Sequence, residues 1–201
     1  MGGIAALVIT GYHEKEAQFG SDVAECYASR RLRRGRNITF YAVQDNQGSV
    51  DPVVEKVDRE IRNYLADRDP PDLILDVHVG AAERVHPQGA RSKSECGEMD
   101  LFCAKPSVPV LCRLTQLFGQ GHVFSDVPLP HEDGEQAPSE SGDWTLAKTG
   151  LPTVYVEPYL WMPSIEARDQ PYWREVRQTA RLLNTLYDVF ATYGGHGELR
   201  P

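Results

Sequence analysis

Three short apolar runs, each ending in residues that commonly ligate metals, constrain this chain more than any other feature. The first spans residues 4–10 and leads into Gly11-Tyr12-His13-Glu14-Lys15-Glu16. The second is Asp72-Leu73-Ile74-Leu75-Asp76-Val77-His78, and the third is Pro152-Thr153-Val154-Tyr155-Val156-Glu157. Continuous apolar runs of this length read as strands buried on both faces. His13, Glu16, His78 and Glu157 then stand at or just past strand ends. Two histidines and one carboxylate are a common catalytic zinc set, and a further carboxylate serves as general base.

Between these runs the pattern alternates strand and helix. A helix is expected over residues 21–34, with Ser21 as N-cap and Gly35 as its stop. Residues 38–43 (ITFYAV) read as a strand. Asp51-Pro52 opens a second helix, carried by Val53, Val54, Val57, Ile61, Tyr64 and Leu65 and ended by Pro70-Pro71. Residues 110–118 form a short helix and 122–125 a short strand. Asp169, with Pro171, opens a long amphipathic helix whose inward stripe is Trp173, Val176, Leu183, Leu186 and Phe190. The stretches 80–109 and 127–142 read as loops. This β-α-β-α-β order predicts a three-layer α/β/α fold with a mostly parallel mixed sheet, in one domain over residues 1–201.

In such a sheet, ligands bind beyond the carboxyl ends of strands where the connections reverse direction. A first helical turn at His13 puts positions i and i+3 on one side, which selects Glu16 over Glu14 as ligand. Asp76 shares a strand face with His78. It either orients that histidine, as carboxylates beside metal ligands often do, or bonds a neighbouring loop. Glu157 ends an otherwise apolar strand, where a charge is costly unless it is paired or functional.

Composition narrows the partners. The chain has 201 residues, 41% hydrophobic and 25% charged, with 21 basic against 29 acidic side chains and a net charge of -8. That balance argues against nucleic-acid binding. The local run Arg30-Arg31-Leu32-Arg33-Arg34-Gly35-Arg36 reads as the solvated, cation-rich end of a helix. No run approaches a membrane span and no leader is evident, so the cytoplasm is the expected compartment. The four cysteines (Cys26, Cys96, Cys103 and Cys112) read as free thiols, with a Cys96–Cys103 bridge as the alternative. The expected partner is a small-molecule or peptide substrate, with homo-oligomer formation left open.

These segments resemble the zinc carboxypeptidase superfamily, and most of all its succinylglutamate desuccinylase/aspartoacylase branch. Members run a strand into Gly-x-His-x-x-Glu, as in Gly11 to Glu16 here. A later strand ends in Asp-x-His, as in Asp76-Val77-His78. A C-terminal strand with a Gly-aliphatic-Pro lead-in ends in the catalytic glutamate, as in Gly150-Leu151-Pro152 through Glu157. The resemblance implies a phosphorylase/hydrolase-like fold, one Zn2+ per chain held by His13, Glu16 and His78, and Glu157 as general base. It implies hydrolysis of an amide bond in a small N-acyl amino acid or at a peptide C-terminus.

The chain departs from the family in two respects. The family's Asn-Arg pair, which grips a substrate carboxylate, has only Asn46 near its place, within Gln44-Asp45-Asn46-Gln47-Gly48. Arg84, Arg91 or Arg36 are the candidate substitutes, and each also reads as a solvated arginine. Tyr159, two residues past Glu157, is a further substrate-binding candidate. His86, His122 and His131 read as solvated histidines, with proton shuttles or alternative ligands as the other reading. The chain also lacks room for the C-terminal β domain of aspartoacylase-type enzymes. These departures keep two alternatives in play: a weakly catalytic or non-catalytic metal-binding module on the same fold, and an N-formylglutamate-type amidohydrolase.

Overall fold

The computed structural model describes residues 3–11, 14–29, 32, 35–43, 59–81, 99–125, 149–160 and 162–194. The strands are β1 (Ala5–Thr10), β2 (Asn37–Ala42), β3 (Leu73–Val77), β4 (Gly80–Ala81), β5 (Met99–Ala104), β6 (Val123–Ser125) and β7 (Thr153–Leu160). The helices are α1 (Glu14–Ser29), α2 (residues 59–66), α3 (Val108–Phe118), α4 (Met162–Ala167) and α5 (Gln170–Tyr193). A 3-10 turn, Gln120–His122, leads into β6.

The sheet runs β2-β1-β3-β7-β5-β6, with β4 pairing the far end of β7. β1, β2, β3 and β7 are mutually parallel, while β5 is antiparallel to β7 and carries β6 parallel to itself. This is the expected α/β architecture with a mostly parallel mixed sheet. Because β2 and β3 flank β1 on opposite sides, the chain reverses its winding between β1 and β3. A crevice therefore opens past the carboxyl ends of those two strands.

Each central strand serves two cores. Ile4, Ala6 and Val8 beside β1, Leu73, Leu75 and Val77 on β3, and Val154 and Val156 on β7 pack with α1, α3 and α5. The alternate residues Leu7, Ile9 and Ile74 pack with Ile61 and with Tyr64, Leu65 and Tyr155 on the other face. Strands covered on both faces need apolar residues at every position, which is why β1 and β3 read as unbroken runs.

The outer helices are fixed by specific polar contacts. The Asp169 side chain caps α5 by accepting from the Tyr172 amide at 3.3 Å. The apolar stripe of α5 includes Val176, Leu183, Leu186 and Phe190, all buried as expected, and Trp173 is half-buried at its edge. Tyr187 Oη donates to the Ile4 carbonyl at 2.7 Å, tying α5 to the start of the sheet.

Several expectations need correction. The helix after β1 begins at Glu14, not Ser21, and Ser21 lies in its middle. Gly20 and Asp22 make tertiary contacts, while Ser21 between them is exposed. A Cβ on Gly20 would lie 2.5 Å from the Thr10 Cβ, so α1 and β1 touch there. Asp22 is buried and accepts from Tyr172 Oη at 2.6 Å and from Arg168 Nη2 at 2.7 and 2.9 Å. The expected 80–109 loop contains β4 and β5. Cys26 and Cys112 are free thiols, and Cys96 lies outside the described residues. Among the described residues, no helix is long and apolar enough to cross a membrane.

Candidate active site

Glu16 lies in the first turn of α1, immediately past β1, where the amino end of a helix favours a carboxylate. The close contact of Gly20 with Thr10 fixes how this turn leaves the strand. His78 follows the last residue of β3, and its amide donates to the Val156 carbonyl of β7 at 3.0 Å. Parallel pairing of β1 with β3 brings the two positions together although they are distant in sequence.

Their side chains meet. His78 Nδ1 lies 3.1 Å from Glu16 Oε2, and His78 Nε2 lies 2.8 Å from Asp76 Oδ2. Carboxylates only accept, so both ring nitrogens carry protons in this arrangement. Burial alone would lower the His78 pKa, but the Asp76 and Glu16 carboxylates outweigh it and hold it well above the usual value. The Tyr155 ring stacks on the imidazole with centroids 5.4 Å apart. Asp76 is fully buried, and its Oδ1 has no hydrogen-bond partner among the described residues.

Glu157 occupies the same sheet face as Tyr155 on β7, while Val154 and Val156 face the larger core. Tyr159 Oη donates to Glu157 Oε2 at 3.3 Å. Burial pushes the Glu157 pKa up. His78 opposes this, Glu16 and Asp100 add to it, and the net shift is upward. A carboxyl held above its ordinary range takes and returns a proton more readily near neutral pH.

The structure adds Asp100, which sequence reasoning passed over, and gives His122 a partner. Asp100 on β5 stands in register with Glu157 on β7, and His122 Nδ1 lies 3.0 Å from Asp100 Oδ1. His122 is thus paired rather than simply solvated. The short apolar run Leu101-Phe102-Cys103-Ala104 after Met99-Asp100 was the available signal, hidden by its polar surroundings.

Asn46, Arg84, Arg91 and His13 lie outside the described residues, as do His86 and His131. Arg36 is placed elsewhere. It forms a paired ion contact with Asp188 on α5, at 2.6 and 2.9 Å, just before β2 begins and far from the strand ends that carry the site.

The donor chemistry fits a zinc ion in kind. With Nε2 held by Asp76, His78 offers Nδ1 toward Glu16, and a cation there would replace the proton between Nδ1 and the Glu16 carboxylate. Among the described residues, no group of three or more His, Cys, Asp or Glu side chains stands ready to hold a metal. The described part of the candidate set is the Glu16–His78 pair.

No family model matches this chain, and no curated protein does. Solved structures do resemble it. The succinylglutamate desuccinylase from Chromobacterium violaceum aligns with a TM-score of 0.52 at 10% identity, covering 100% of this chain and 64% of that one. The CwlD amidase from Clostridioides difficile, solved with the GerS lipoprotein, aligns with a TM-score of 0.48 at 9% identity, covering 92% of this chain and 98% of that one. Murine aminoacylase 3 aligns with a TM-score of 0.40 at 14% identity, covering 90% and 66%. At such identities the likeness concerns the fold alone, and the alignment with the desuccinylase places this chain in that α/β architecture.

Proposed function

We propose that this chain is a zinc-dependent hydrolase that cleaves an amide bond in a small N-acyl amino acid or at a peptide C-terminus. The observation that carries the reading is the meeting of Glu16 and His78 where the sheet reverses its winding, with Glu157 on the adjacent strand. His13, Glu16 and His78 would hold the ion, one per chain. Zinc, when bound, supplies Lewis acidity that polarises a carbonyl and eases ionisation of a water.

The protein's own groups do the rest. Asp76 locks the His78 ring so that Nδ1 is the nitrogen presented to the site. Glu157 takes a proton from the attacking water and passes it to the leaving nitrogen, a role suited to its raised pKa. A substrate carboxylate would be received by Arg84 or Arg91, with Asn46 as a further candidate.

Elemental analysis of the purified parent beside two variants tests this reading. The parent is expected to hold about one zinc per chain and His78→Ala near none. Glu157→Gln is expected to keep its zinc and lose about 10²- to 10⁴-fold in amide turnover. A folded parent that takes up no zinc after reconstitution would sink the proposal and favour a binding module on the same fold. Full turnover by Glu157→Gln would remove that residue from its assigned role.

A further inference from the structure

The short strand β4 pairs with the end of β7 so that Gly80 stands directly beside Tyr159. Gly80 is buried, and the Tyr159 ring occupies the space a side chain would fill. A Cβ built on Gly80 would lie 2.5 Å from Tyr159 Cε1, 2.6 Å from Tyr159 Cδ1 and 3.1 Å from Glu157 Oε1. The first two separations are closer than real carbon contacts allow, so any larger residue at 80 must move the ring. The same ring carries the hydroxyl that donates to Glu157 Oε2 at 3.3 Å. One carboxylate oxygen of Glu157 therefore lies over the bare backbone of Gly80, and the other is held by Tyr159.

We infer that Gly80 and Tyr159 are positioning residues for Glu157: the missing side chain at 80 seats the Tyr159 ring, and the seated ring fixes the carboxylate. This rests on the reading of Glu157 as the base and gives Tyr159 a role other than gripping substrate. The chemistry supports a need for such a device. A carboxylate at the end of a glutamate's three rotatable bonds has several orientations open to it, and a misplacement of about 1 Å at a reacting group costs on the order of a hundredfold in rate. The parallel β4–β7 pairing fixes the backbone on both sides, so only the ring and the carboxylate are left to set.

The test uses Tyr159→Phe, Gly80→Ala, Tyr159→Ala and the Gly80→Ala/Tyr159→Ala pair in the full chain, each checked for zinc content and melting temperature. Tyr159→Phe keeps the ring and removes only the hydroxyl. On whichever N-acyl amino acid the parent turns over, kcat is expected to fall about tenfold with KM and zinc unchanged within about twofold. Gly80→Ala is expected to destabilise and slow the parent. The same change in the Tyr159→Ala background is expected to do little, because the clashing ring is gone.

Crystal structures of the parent and Tyr159→Phe read the carboxylate directly, whether or not a substrate is found. The expected result is a Glu157 side chain that shifts or splits into two conformers in the variant. An unmoved carboxylate, or a raised KM with unchanged kcat, would overturn the positioning role and return Tyr159 to substrate binding. Equal effects of Gly80→Ala in both backgrounds would overturn the seating role of Gly80. An inactive parent with a shifted carboxylate in Tyr159→Phe would count against the hydrolase reading while leaving this inference standing.

Discussion

Asp100 faces Glu157 directly across the antiparallel pairing of β5 and β7, which puts two carboxylates on neighbouring positions of one sheet face. Side chains so paired stand about 5 Å apart at their Cβ atoms. Asp100 is buried and held by His122, so its charge stays close to Glu157 and adds to the upward push on that group. Replacing Asp100 by Asn removes a like charge, and Glu157 then loses its proton at lower pH. The acid limb of the pH–kcat/KM profile for amide hydrolysis is expected to move to lower pH in Asp100→Asn. A limb that stays in place, or moves upward, would show that the two carboxylates do not communicate.

The state of His78 sets how zinc uptake depends on pH. Its imidazole is held well above the ordinary range by Asp76 and Glu16, so an incoming ion competes with the proton on Nδ1. Zinc affinity, measured by competition with a chelator, is expected to rise from pH 6 to pH 8 as that proton is more easily lost. Asp76→Ala removes the group that holds Nε2 and is expected to weaken zinc binding about 10- to 100-fold. Unaltered affinity in that variant would leave Asp76 a purely structural role.

Glu175 gives a second pH dependence, in stability rather than chemistry. Its side chain is buried on α5, and its Oε2 has no hydrogen-bond partner among the described residues. Burial raises its pKa to about 7, only partly opposed by Arg174. The folded state thus binds a proton more tightly than the unfolded chain. This contribution is fully present below the ordinary glutamate value and is lost as pH rises to about 7. Glu175→Gln is expected to match the parent at pH 4 and to exceed it at pH 8 by at most about 3 kcal/mol. Denaturant titration at the two pH values checks this, and an equal difference at both would exclude the linkage.

Asp22 joins α1 to the α4–α5 junction. It takes hydrogen bonds from Tyr172, Arg168 and Gln18 while itself buried. Asp22→Ala strands a buried hydroxyl and half of an ion pair, at a cost of about 2–4 kcal/mol. Equilibrium unfolding of the variant, beside Asp22→Asn as the milder change, measures it. A loss under about 0.5 kcal/mol would put this network among the surface contacts that contribute little.

How much of this was legible in the sequence follows the physics of each segment. β1, β3 and the start of β7 were readable because strands covered on both faces leave little choice of residue, and the polar residues that follow those runs then stood out; β7 itself continues past Glu157 to Leu160, so that carboxylate lies within the strand and not at its end. The start of α1 was misread because Gly20-Ser21-Asp22 has the chemistry of a helix cap. Tertiary demands placed it there instead: Gly20 for its approach to Thr10, and Asp22 for its bonds to Tyr172 and Arg168. β5 was missed because Asp100 breaks its apolar pattern and polar residues flank it. Arg36 showed no sign of its partner, since Asp188 lies on a distant helix. The contact between Gly80 and Tyr159 was equally hidden, because it depends on pairing across two strands.

The two-sided pattern of β7 has a consequence for how this protein guards against its own errors. Val154 and Val156 belong to the larger core, while Tyr155, Glu157 and Tyr159 face the site. A slip of β7 by one residue against β3 would exchange the two sets. Glu157 would then be driven among aliphatic side chains, at several kcal/mol for an unpaired charge. The carboxylate thus acts as a proofreader against one-residue slips of register: such a slip would bury it in the core, and the native alignment sets it beside His78.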